Sequence, residues 1–87
     1  MPIVKIFTKK DCPRCPQAKQ LGAQMEQDGC SVLYYDVETV NGLAEATFFS
    51  VQATPTIIVE DADENVLADF RGQVPTREEV LQIINAQ

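Results

Sequence analysis

Residues 3–15 read I-V-K-I-F-T-K-K-D-C-P-R-C. The run Ile3–Phe7 is short and rich in β-branched and aromatic residues, which suits a central strand. Thr8 to Asp11 is polar and carries the chain into the cysteines. Pro13 marks the opening of a helix, because the N–H that proline lacks would have no partner at the first helical position. Cys15, Ala18, Leu21, Gly22 and Met25 then recur on one face at helical spacing. This predicts a helix from Pro13 to about Asp28, with Pro16 still in its first turn and Gly29 as its C-terminal cap. The two cysteines therefore straddle the start of a helix that follows directly on a strand.

Working outward, Ser31–Val37 reads as a second strand. Val40–Phe49 reads as a second helix, with Val40, Leu43, Ala44 and Phe48 as its apolar face. Thr56–Glu60 is a third strand, starting directly after Pro55, and Asp61–Asn65 is an acidic turn. Val66–Phe70 forms a fourth strand, hairpin-paired with the third. The last helix runs from Thr76 to about Asn85, opened by a Thr76/Glu79 capping box and apolar at Val80, Ile83 and Ile84. The order is β-α-β-α-β-β-α, an α/β fold. The first two strands, joined through a helix, are expected parallel and the last two antiparallel, giving a four-stranded mixed sheet flanked by helices. At 87 residues the expectation is one domain, residues 1–87, with one core.

Composition narrows the chemistry. A net charge of −6 argues against nucleic acid and anionic membrane surfaces as partners. No stretch approaches the roughly 20 apolar residues of a membrane span. Met1–Lys10 lacks the apolar core of a secretory leader, so a cytoplasmic setting is expected, where thiols are kept reduced. The chain has no histidine, which removes Ser-His-Asp and Cys-His catalysis and every His-ligated metal site. No glycine-rich phosphate loop is present, and the acids Glu60, Asp61, Asp63 and Glu64 lack the glycine and terminal glutamate of a calcium loop.

What remains is Cys12-Pro13-Arg14-Cys15. Thiol–disulfide exchange needs one thiolate to attack and a second thiol to resolve the mixed disulfide. Cysteines at i and i+3 across a helix start lie within bridging distance. Cys12, in the N-cap region, faces unpaired backbone N–H groups and the positive end of the helix dipole, both of which stabilise a thiolate. Cys15 lies on the core-facing side. Cys12 is accordingly expected to be the nucleophile and Cys15 the resolving thiol. Lys9, Lys10, Arg14 and Lys19, four of the seven basic residues, fall between positions 9 and 19 with Asp11 as the only acid. A solvated charge cluster would look the same in sequence.

With its strand, its C-x-x-C and its helix, and with Val51-Gln52-Ala53-Thr54-Pro55-Thr56 resembling the V-x-x-T-P-T segment, the chain resembles the thioredoxin superfamily. The resemblance spans almost the whole chain and implies the minimal thioredoxin fold. It also implies a cis Thr54–Pro55 bond beside the cysteines. Thr54 would then offer backbone hydrogen bonds to an extended substrate segment, with Pro13, Arg14 and Pro55 as further substrate-binding residues. The length and C-P-x-C resemble glutaredoxins, whereas Ala53-Thr54-Pro55-Thr56 resembles thioredoxin. The Gly-Gly and acidic pair of glutathione-binding members is replaced by Phe70-Arg71-Gly72-Gln73-Val74-Pro75. Thioredoxin's tryptophan before the first cysteine is Asp11 here, and its buried acid six residues before that cysteine is Ile6.

The resemblance thus implies a small redoxin, expected as a monomer, that reduces protein disulfides. Its electrons would come from a thioredoxin-reductase-type enzyme, with glutathione as the alternative donor. The redox-active group would be the Cys12–Cys15 disulfide itself, with no separate cofactor or metal. Two rival classes remain. An iron–sulfur or zinc module would need ligands beyond three cysteines, and an adaptor of this fold would be indifferent to loss of Cys12. Cys30 reads as a small buried residue, Tyr34 and Tyr35 as packing groups, Phe48 as core and Phe49 as partly exposed.

Overall fold

Strands that are covered on both faces should be nearly continuous in apolar residues, and two segments meet that requirement. β1 (Ile3–Thr8) is buried from Val4 onward and β3 (Thr56–Glu60) is buried throughout. They lie side by side in the middle of the sheet, antiparallel, with Ile6 opposite Ile57 and Phe7 opposite Thr56. β2 (Ser31–Asp36) flanks β1 in parallel and β4 (Val66–Arg71) flanks β3 antiparallel, so the sheet order is β2-β1-β3-β4. The helices are α1 (Cys15–Gln27), α2 (Val40–Phe48) and α3 (Arg77–Asn85). The computed structural model describes residues 1–87, and its element order is the expected one.

Alternation along β1 and β3 divides the sheet into two unlike faces. One carries Val4, Ile6, Ile57 and Val59 and is covered by Ala18, Leu21 and Met25 of α1 and Val80 of α3. All five residues expected on the inner face of α1 are buried. Gly22 is needed there, since a Cβ would run into the Tyr34 ring and Ile6. Gly29, at φ +91°, ends α1 in the left-handed region that glycine adopts without penalty. The Thr76/Glu79 capping box of α3 is formed in both directions.

The other face carries Lys5, Phe7, Ile58 and Glu60, and α2 alone lies over it. Here the sequence expectation is overturned. Val40, Leu43, Ala44 and Phe48 point outward, and Phe48 is 78% exposed, whereas the buried positions are Gly42 and Ala46. The strands supply the bulk on this face (Phe7, Ile58 and Tyr35), so only the side of α2 with small residues fits against them. A Cβ at Gly42 would fall on the Asp36 carbonyl. Phe49, just past the helix, turns back to meet the edge of Phe7 at 6.1 Å between ring centroids. Phe48, expected in the core, is thus exposed, while Phe49 is partly buried, in keeping with the partial exposure expected of it.

Candidate active site at the Cys12–Cys15 turn

The site is assembled at the end of the sheet where β1 finishes and β3 starts. Because the two strands are antiparallel, the segment after Thr8 and the segment before Thr56 emerge at the same edge. The first carries Cys12 and Cys15 and the second carries Thr54 and Pro55. Lys9 and Thr54 line one hollow of about 180 Å³, together with Val37, Leu43 and Val51.

Asp11 sits at φ +62°, a conformation aspartate tolerates better than most residues, and turns the chain out of β1. The helix begins later than expected. Residues 11–14 form a turn, Arg14 is the N-cap without a side-chain cap, and Cys15 is the first helical residue. The Cys12 carbonyl accepts the Cys15 N–H at 3.3 Å, and the Arg14 carbonyl accepts that of Ala18 at 3.1 Å. A tight i→i+3 turn therefore leads into the α-helical pattern, and Cys12 stands two residues before the N-cap.

The Sγ atoms of Cys12 and Cys15 are bonded, with the Cα atoms 5.3 Å apart. The two cysteines differ sharply in surroundings. Cys15 is 4% exposed, held against the core by the first turn of α1, while Cys12 is partly open and Pro13 and Arg14 are exposed. Burial raises the pKa of the third cysteine, Cys30, with the nearby Asp28 carboxylate adding to the effect. Its place in the α1/α3 core makes it a packing residue, as its position between helix and strand suggested.

The Thr54–Pro55 bond is cis, and Pro55 is buried at the foot of β3. Its carbonyl accepts the Gly72 N–H at 2.8 Å, and the Thr56 hydroxyl donates to the Ala53 carbonyl at 2.7 Å. A residue that sequence reading passed over holds this loop from outside. Arg71, the last residue of β4, donates to the carbonyls of Phe49 and Ser50 at 3.0 and 3.1 Å while pairing with Asp69. These contacts join residues more than twenty positions apart, so no local pattern in the sequence announces them.

No group of His, Cys, Asp and Glu side chains gathers into a metal site, and no helix is long and apolar enough to cross a membrane. The partly open Cys12 and the buried Cys15, bonded at the edge of the sheet where Thr54 and Pro55 also emerge, form a pair suited to thiol–disulfide exchange.

Comparison with known proteins agrees with this geometry. A thioredoxin-domain family model matches residues 3–85. A probable thioredoxin from Archaeoglobus fulgidus is 31% identical over 62 residues, covering 70% of this chain and 68% of the relative. Among solved structures, thioredoxin-2 of the malaria parasite superposes with a TM-score of 0.82 at 23% identity, over 100% of this chain and 84% of its own. A thioredoxin variant from Halobacterium salinarum superposes with a TM-score of 0.80 at 19% identity, over 98% and 73%. A match along nearly the whole chain, with the paired cysteines at the edge where β1 meets β3, makes this protein a member of the thioredoxin family of thiol–disulfide oxidoreductases.

Proposed function

We propose that the protein is a small dithiol redoxin that reduces disulfides in other proteins and is itself re-reduced by a thioredoxin-reductase-type enzyme. The observation that carries the reading is the asymmetry within one cysteine pair: Cys12 partly open, Cys15 sealed at 4% exposure. In the reduced protein the Cys12 thiolate attacks one sulfur of a substrate disulfide. That bond breaks, the departing substrate sulfur takes up a proton, and a Cys12–substrate mixed disulfide forms. Cys15 then loses its proton and attacks the Cys12 sulfur. This releases the second substrate thiol and leaves the Cys12–Cys15 disulfide, two electrons having passed to the substrate. The geometry favours intramolecular resolution because the partner thiol is already within bonding reach.

Proton handling differs from a carboxylate-assisted scheme. Ile6 is fully buried where an acid would stand below the cysteines, and the one buried carboxylate, Glu60, lies on the other sheet face and pairs with Lys5. Water at the open Cys12 turn is the acceptor this arrangement leaves. Thr54 and Pro55 with Pro13 and Arg14 form the docking edge. The absence of the Gly-Gly and acidic pair after β4 supports the reductase donor over glutathione.

The test is a paired assay on the oxidised protein. One arm supplies NADPH with thioredoxin reductase, the other NADPH with glutathione and glutathione reductase. Reduction mainly in the first arm is expected, with Cys15→Ser halting at a trapped mixed disulfide in the same preparation. Reduction mainly in the second arm would make the protein a glutathione-dependent glutaredoxin. A Cys15→Ser variant that turned over normally would overturn the dithiol mechanism.

A further inference from the structure

The seven basic residues fall into two groups that the fold treats differently. Lys5, Arg71 and Arg77 are each in an ion pair, with Glu60, Asp69 and Asp28. Lys9, Lys10, Arg14 and Lys19 are in none, and all four are exposed. These four are also the ones gathered around the reactive turn. Lys9 and Lys10 lead into it, Arg14 sits between the cysteines, and Lys19 follows one helical turn after Cys15, about 6 Å along the axis. Three acids face this end of the sheet, one of them the exposed Asp36 at the end of β2, opposite Thr8. Asp11 lies inside the window, and the Glu38 carboxylate accepts the Lys10 backbone N–H at 3.1 Å. The twelve remaining acids, Glu38 among them, are set against only three bases, all of them in ion pairs. Asp61, Asp63 and Glu64 occupy the β3–β4 turn, at the opposite end of the sheet.

We propose, building on the redoxin reading above, that the preferred substrates are disulfide proteins with acidic side chains flanking the disulfide. A positive rim on a negative molecule has two consequences for encounter. It draws an acidic partner in by the end that carries Cys12, and the negative remainder turns the same partner away elsewhere. Bringing the four cations to such an interface breaks no intramolecular ion pair, which leaves side-chain ordering and desolvation as the costs. The rim also adjoins a less polar floor, since Lys9 shares its hollow with Leu43, Val37 and Val51. An acidic flank can therefore meet the lysines while the disulfide segment lies along Thr54.

The test uses the reduced protein in single-turnover reaction with three synthetic peptides that share one disulfide loop, flanked by Glu, by Ser or by Lys. A small neutral disulfide, 2-hydroxyethyl disulfide, serves as the reference. The Glu-flanked peptide should react at least about 10-fold faster than the Lys-flanked one at low ionic strength. The gap should close as the Debye length falls from about 30 Å at 0.01 M to about 3 Å at 1 M salt. In a Lys9→Glu, Lys10→Glu, Lys19→Glu variant the Glu-to-Lys rate ratio should fall to one or below. Equal rates for the three peptides, or a preference that salt leaves unchanged, would overturn the proposal while leaving dithiol exchange standing. No reaction of the wild-type protein with the neutral disulfide would instead overturn the redoxin reading, and this proposal with it.

Discussion

The two faces of the central sheet are built from the same two strands and held by different means. Toward α1 and α3, β1 and β3 present Val4, Ile6, Ile57 and Val59, all fully buried, and two helices cover them. Toward α2 they present Lys5, Phe7, Ile58 and Glu60, with a single nine-residue helix above. Glu60 is 1% exposed, takes the Lys5 ammonium on one oxygen at 3.4 Å and has no partner for the other. The Lys5 ammonium also stands 4.7 Å over the Phe49 ring. Two helices can close a face with hydrocarbon alone. One short helix cannot, and on that side the sheet is completed by an ion pair and an aromatic lid. The face behind Cys15 is thus the one closed by hydrocarbon alone, which suits a thiol that must be held in place for its partner.

The contrast can be broken most sharply at the ion pair. Lys5→Met leaves the Glu60 carboxylate buried and unpaired and should cost about 3–5 kcal/mol in chemical denaturation. The double change Lys5→Met with Glu60→Leu should recover most of that loss. A single variant near wild-type stability would show that water already serves Glu60 and that this face is wetter than described. On the opposite face the cost should instead follow volume. Ile57→Val removes one methylene and is expected to lose about 0.5–1.5 kcal/mol, with no second change needed to rationalise it. A larger loss would mean that this face, too, depends on something other than packing.

The smallest effect concerns the tie between the two helices of the hydrocarbon-closed face. Arg77 at the start of α3 donates to both Asp28 oxygens at the end of α1, at 2.7 and 2.8 Å. The hydrogen bonds from Arg77 hold the Asp28 carboxyl below its ordinary value, its charge reinforcing them. A carboxyl depressed on folding contributes stability that is present above its unfolded pKa, about 3.9, and is lost as pH falls through the folded value. The stability difference between wild type and Arg77→Gln should therefore be constant near neutrality and shrink only below about pH 4. The pair is exposed, so the difference is small. A gap that persisted unchanged through acid would assign the effect of Arg77 to packing.

Much of this molecule can be read along the chain because the signals are local. The period of α1, the Thr76/Glu79 box, the apolar runs of β1 and β3 and the i, i+3 cysteines each lie within a few residues, and each appears in the structure where expected. α2 shows the limit of such reading. Its apolar period at Val40, Leu43 and Phe48 is real, yet the helix buries Gly42 and Ala46 instead. A periodic pattern marks a stripe but carries no information about the bulk of the surface it must meet. Pro13 and Arg14 likewise lie outside the helix that local signals began at Pro13, because the bond from the Cys15 N–H to the Cys12 carbonyl closes a tight turn first.

Element order, the paired cysteines and the unequal exposure of Cys12 and Cys15 are legible along the chain, since each follows from residues that are near neighbours within an element or at its start. Tertiary structure alone decided which side of α2 is buried, that Arg71 and Gly72 hold the Phe49–Pro55 loop, and that three bases are in ion pairs while four stay free around Cys12. The reason is physical. Those outcomes depend on which surfaces meet across the sheet, and contacts such as Arg71 with Phe49 and Ser50 or Lys5 with Glu60 join residues too far apart along the chain to leave a periodicity.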